Sequence, residues 1–142
     1  MKILIVSGFL GAGKTTFIKR LARNVDQRFA ILENEYGAAG IDGARLGQNR
    51  QGTQKNVWEM TEQCICCIGK KDFAASVLTI ANVVGPEYLI VEPTGVGSLA
   101  RIIENLRQIE YERIQLLSPV TIVDVYSYRR YMAEYPELYQ DQ

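Results

Sequence analysis

Two hydrophobic rhythms alternate along the chain. Short, nearly unbroken apolar runs recur, and stretches with apolar residues every three or four positions lie between most of them. The runs are Ile3-Leu4-Ile5-Val6, Phe29-Ala30-Ile31-Leu32, Val57-Trp58-Glu59-Met60, Tyr88-Leu89-Ile90-Val91 and Val120-Thr121-Ile122-Val123. Such runs, bounded by turn residues, predict strands, a short one at 57–60 and buried or continuously apolar ones elsewhere, the last of them ending at Asp124. Phe17, Ile18, Leu21, Ala22 and Val25 fall on one face of a helix running to about Val25. Phe73, Ala74, Val77, Leu78 and Ala81 do the same in a second helix, which Gly85-Pro86 ends. A third helix, with Ser98 as its N-cap, buries Leu99, Ile102, Ile103 and Leu106. Tyr128, Tyr131, Met132, Tyr135 and Tyr139 return at helical spacing, interrupted by Pro136. Half-buried helix packing explains this tyrosine stripe better than a docking face does. Strands alternating with helices, several of them apolar throughout, predict an α/β fold whose mostly parallel sheet carries helices on both faces.

One turn in this pattern carries chemistry. Gly8-Phe9-Leu10-Gly11-Ala12-Gly13-Lys14-Thr15 joins the first strand to the first helix and fits G-x-x-x-x-G-K-[ST]. Strand, glycine-rich turn and helix together are the setting of a phosphate-binding P-loop, so the fold is expected to be of the P-loop NTPase type. The amides of Gly8, Gly11, Ala12 and Gly13 and the positive end of the helix are predicted to cradle phosphates. Lys14 sets a point charge between the β- and γ-phosphates, the Thr15 hydroxyl is a ligand for Mg²⁺, and Thr16 is placed to hydrogen-bond the α-phosphate.

Ligands of such sheets gather at the carboxyl ends of the strands. The P-loop, Glu33, Glu92 and Asp124 each stand at one. Glu92-Pro93-Thr94-Gly95 gives an E-x-x-G pattern where nucleotide hydrolases place a second acidic motif. There Glu92 would hold Mg²⁺ and the Gly95 amide would sense the γ-phosphate. Lys14, Glu92 and Glu33 are the candidate catalytic residues; Glu33 and Glu35 follow the second strand, Glu33 directly ending it, whereas Asp42 sits in a loop. That loop is small and polar, runs from Tyr36 to Asn56, and is the expected switch region.

Composition narrows the setting. With 142 residues, the chain suits one domain with a sizeable core. Sixteen basic residues balance sixteen acidic ones, which favours neither nucleic acid nor an acidic membrane surface as partner. No apolar run is long enough to span a bilayer. Met1-Lys2 leads straight into the first strand, leaving no room for a signal peptide, so the cytoplasm is the expected compartment. All three cysteines lie in Cys64-Ile65-Cys66-Cys67, and histidine is absent. In a reducing compartment three adjacent thiols point to metal rather than to a disulfide framework. Three thiolates and a fourth ligand suit tetrahedral Zn²⁺, with Co²⁺, Ni²⁺ or Cu⁺ open on the same donors. The competing reading is three reduced structural cysteines. Redox use is disfavoured because neighbouring cysteines form strained bridges.

Taken in order, the GFLGAGKTT run, Glu33-Asn34-Glu35-Tyr36-Gly37, Ile41-Asp42-Gly43, Cys64-Ile65-Cys66-Cys67, Glu92-Pro93-Thr94-Gly95 and Val120-Thr121-Ile122-Val123-Asp124 resemble the CobW-type metal-handling P-loop GTPases. The likeness spans nearly the whole chain, and C-x-C-C between two nucleotide motifs is its most specific part. It implies a GTPase that uses GTP and Mg²⁺. It implies Cys64, Cys66 and Cys67 as ligands of Zn²⁺ or a Co²⁺- or Ni²⁺-like ion. Nucleotide state would then control transfer to a client metalloprotein or cofactor-synthesis enzyme, with a homodimer left open. Three departures stand out. Ala38 replaces a Glu common among relatives, Glu62-Gln63 replaces the small pair before the first cysteine, and the guanine-reading motif would lie beyond Gln142. Residues 1–142 are thus expected to be a GTPase domain shortened before base recognition and before a C-terminal domain. Two other classes stay in view: a non-enzymatic zinc-binding regulator, and a P-loop kinase for a small metabolite.

Overall fold

A computed structural model describes residues 1–33, 57–61, 70–93 and 98–141, with the backbone alone at 33, 57–61 and 70–72. The loop read as a switch region, the cysteines Cys64, Cys66 and Cys67, and Gly95 lie outside the described residues. The elements run β1 (Lys2–Ser7), α1 (Lys14–Asn24), β2 (Phe29–Glu33), β3 (Val57–Thr61), α2 (Lys70–Thr79), β4 (Tyr88–Glu92), α3 (Leu99–Arg107), β5 (Gln115–Leu116), β6 (Val120–Thr121), α4 (Tyr128–Glu134) and α5 (Pro136–Asp141). The strands lie in the order β3-β2-β4-β1-β5, with β6 also beside β1, and all their pairings are parallel.

The runs of β1, β2 and β4 are apolar because the sheet there is buried on both faces, as the sequence predicts. Alternate residues of β1, β2 and β4 serve opposite layers. Ile3, Ile5, Ala30, Leu32, Leu89 and Val91 pack with Phe73, Val77 and Ile80 of the α2 region and Leu99, Ile102 and Leu106 of α3. Val6, Phe29, Ile31 and Ile90 face the other way and meet Ile18 of α1. Helices therefore cover both faces. α2 ends in a wider turn over Ile80–Val84, where the Gly85 amide donates back to the Ile80 carbonyl and Gly85 takes a left-handed conformation. Ser98 caps α3 as expected, its hydroxyl accepting from the Arg101 amide.

One expectation changes and one strand is added. The run at 120–123 is not a buried strand: β6 spans only Val120 and Thr121, Thr121 is exposed, and Val123 is 49% exposed. Among the described residues β6 pairs only with β1, so its outer edge receives no strand to bury it. The chain also forms β5, which no apolar run announced. The tyrosine stripe becomes two helices, α4 and α5, because Pro136 lacks an N–H and suits the first turn of a new helix.

Candidate functional site

The carboxyl end of β1 delivers the glycine-rich turn. Gly8 has φ 135°, and a Cβ there would lie 2.3 Å from the carbonyl oxygen of Ile122. Only glycine lets the turn pass this close to the neighbouring segment. Gly13, at φ 98°, then brings the backbone into α1, and its carbonyl accepts the Phe17 amide at 2.9 Å. Lys14 is buried at the first turn of α1. Its Nζ donates to the carbonyls of Gly8 (2.9 Å) and Phe9 (3.1 Å), so the ammonium lies folded along the loop. Burial pushes the Lys14 pKa down, and the negative charge of Glu92 partly opposes that fall.

Glu92, the last residue of β4, meets the start of α1. The Thr15 hydroxyl donates to both of its carboxylate oxygens, at 2.9 and 3.2 Å. Two motifs 77 residues apart in sequence thus converge on one point beside the buried Lys14. The donors are a hydroxyl and a carboxylate, the hard oxygens that Mg²⁺ selects, so the pair fits that ion. Thr16 is exposed on the same turn of α1. Glu33 ends β2 in register with Glu92 on β4 and with Thr61 on β3. The backbone therefore aligns the two predicted acidic positions on neighbouring strands at one end of the sheet.

Asp124 stands at that end too, but its carboxylate serves its own turn. It accepts from the Ser127 hydroxyl at 2.6 Å and from the Tyr126 amide at 3.1 Å, and these bonds hold its pKa below the usual value. Among the described residues no group of three potential metal-binding side chains forms. The sequence reading missed the aromatic surroundings of the P-loop. Phe9 stacks on Tyr131 at 4.8 Å and on Tyr139 at 5.8 Å, beside a cavity of roughly 180 Å³ reaching from Gly8 to Ser127. Helical spacing marked both tyrosines as part of a half-buried packing stripe, but nothing in the sequence paired them with Phe9. No described helix is long and apolar enough to cross a membrane.

Residues 2–142 match the family described as CobW/HypB/UreG, nucleotide-binding domain. The chain is 34% identical to the zinc chaperone YeiR of Escherichia coli over 123 residues, covering 84% of this chain and 36% of that protein. It is 36% identical over 97 residues to the zinc chaperone CobW of a Sinorhizobium species, covering 66% of this chain and 27% of the relative. It is 29% identical over 145 residues to the zinc-regulated GTPase metalloprotein activator 1 of Dictyostelium discoideum, covering 87% and 30% respectively. The chain thus spans about a third of the length of these relatives. In fold it is similar to the Zn(II)-bound YjiA GTPase of E. coli, with a TM-score of 0.67 and 22% identity over 99% of this chain and 45% of that one.

Proposed function

Because the chain belongs to the CobW/HypB/UreG nucleotide-binding family, we propose that it is the GTPase domain of a metallochaperone. In this reading it binds and hydrolyses GTP at the P-loop and couples nucleotide state to capture and transfer of a metal ion. The observation that carries the nucleotide half is the convergence of Thr15 and Glu92, 2.9 Å apart, beside the buried Lys14. Lys14 swings from the Gly8 and Phe9 carbonyls to the β- and γ-phosphates, exchanging neutral acceptors for charged ones. Thr15 and Glu92 would hold Mg²⁺, which would supply neutralisation of phosphate charge. The amides of Gly11, Ala12, Gly13 and Thr16 receive the remaining phosphate oxygens. Glu33, in register with Glu92, positions the attacking water, and the Gly95 amide reads the γ-phosphate.

The cargo half rests on the sequence and on the relatives named as zinc chaperones. Cys64, Cys66 and Cys67 supply three thiolates to Zn²⁺, and the same donors accept Co²⁺ or Ni²⁺. Cys64 follows the end of β3 by three residues, and β3 pairs with β2, the strand that carries Glu33. That short tether lets nucleotide state reach the thiolates, and the ion passes to a client metalloprotein or cofactor-synthesis enzyme in the cytosol. Coupling of about 1–3 kcal/mol corresponds to a roughly 5–150-fold change in metal affinity, with the same factor on nucleotide affinity. Zn²⁺ titrations in the presence of a non-hydrolysable GTP analogue and of GDP test this. Affinities separated by such a factor support the coupled switch, and identical affinities sink it.

A further inference from the structure

α4 and α5 make two attachments that the proposed reaction does not use. The first is the P-loop: Phe9 stacks on Tyr131 of α4 with rings 7° from parallel, and on Tyr139 of α5 with rings 17° from parallel. The second is α3. Asp141, two residues beyond Tyr139, accepts from the Leu99 amide through Oδ2 at 2.8 Å. Its Oδ1 accepts from the Ala100 amide and from the Ser98 hydroxyl, each at 3.4 Å. The first turn of α3 thus has a local cap from Ser98 and a second, charged cap brought from 42 residues away. A carboxylate there meets unpaired amides and the positive end of the helix.

We propose that Asp141 is a positioning residue, the far end of a strap formed by α4 and α5 that ties the P-loop to α3. α3 is the helix that follows the Glu92 motif, so it is attached to the nucleotide site twice. One attachment runs through the chain from Glu92, which bonds Thr15. The other runs through Asp141, Tyr139 and Phe9. Phe9 is the residue on which both functions meet. Its ring carries the strap, and its carbonyl accepts from Lys14 Nζ. Drawing Lys14 toward a phosphate removes that donor from the residue bearing the stack, and the strap passes the change to the first turn of α3. This last step rests on the phosphate-binding role proposed above; the mechanical tie itself does not.

Amide hydrogen exchange at Leu99 and Ala100, measured on the 142-residue chain without nucleotide, tests the tie. Asp141→Ala should speed exchange there about fivefold, as loss of a cap does, and Asp141→Asn, which keeps the acceptor, should restore most of the protection. The decisive variants are Phe9→Leu and Tyr139→Leu, which retain apolar bulk but not the stacked ring. Neither residue bonds α3 in the structure, yet each should speed exchange at Leu99 and Ala100 with the core amides of Ile5 and Ile90 unchanged. Adding Asp141→Ala to either should add little. If both leave the α3 amides at the wild-type rate while Asp141→Ala alone accelerates them, the cap is local and the strap is refuted. A second arm adds a GTP analogue with Mg²⁺. Protection of the P-loop amides without any change at Leu99 and Ala100 refutes transmission along the strap. No protection of the P-loop refutes the nucleotide reading instead, and the arm without nucleotide still decides the tie.

Discussion

The two flanks of β1 teach opposite lessons. On one side, β4 runs beside it without a break, from Lys2 opposite Tyr88 to Ile5 opposite Val91, and Leu89, Ile90 and Val91 are fully buried. On the other side the pairing slips. Ile3 faces Leu116 but Val6 faces Val120, so a step of three residues in β1 matches a step of four in its partner. The extra residue makes a bulge around Ser118-Pro119, where a proline's missing N–H is tolerated. Beyond it β6 stops after two residues. In the sequence, β4 and the segment that holds β6 both read as apolar runs. Burial depends on having a neighbour on each side, and of these two flanks only β4, between β1 and β2, has two among the described residues.

This contrast can be broken by substitution. Ile90→Ala opens a cavity under α1 and should cost about 2–5 kcal/mol in chemical denaturation. Gly8→Ala forces a Cβ against the Ile122 carbonyl at a left-handed φ and should cost about 1–3 kcal/mol while displacing β6. Val120→Ala, on the partly exposed flank, should cost less than about 1 kcal/mol. Equal losses at Ile90 and Val120 would show that the two flanks are equivalent after all. Lys14→Met should be neutral or slightly stabilising, because it removes a buried charge whose partners are carbonyls. Burial lowers the Lys14 pKa from 10.5 in the folded chain, so between the folded value and 10.5 the unfolded chain holds more protons. Wild-type stability therefore rises with pH across that window. The methionine variant lacks this slope, so its margin should be widest near neutral pH and shrink as pH approaches 10.5.

Much of this was legible beforehand because local and global signals agree. Ile3-Leu4-Ile5-Val6 can only be a doubly covered strand if helices follow, and the spacing of Phe17 to Val25 and of Leu99 to Leu106 announces them. Ser98 marked the start of α3 through its hydroxyl, which caps only a helix end. Thr15 and Glu92 were assigned to one ion from motif order, and their contact follows from the parallel neighbours β1 and β4. What stayed hidden depends on contacts made across the fold. Gln115 and Leu116 become strand only because Met1 and Ile3 offer carbonyls to the amides of Gln115 and Leu117. Asp141 reads as one more surface acid until α5 carries it to α3, and Asp124 looked like a rim carboxylate until its turn absorbed it.

The central claim is that Lys14, Thr15 and Glu92 make one nucleotide–magnesium site. Titration calorimetry of a non-hydrolysable GTP analogue, with and without Mg²⁺, tests it on wild type, Lys14→Met and Glu92→Gln. Lys14→Met should bind about 10–100-fold more weakly, the loss of a charge-assisted bond to phosphate. Glu92→Gln should lose most of the gain that Mg²⁺ confers. Unchanged affinity in the first variant, or an undiminished Mg²⁺ effect in the second, would contradict the assignment.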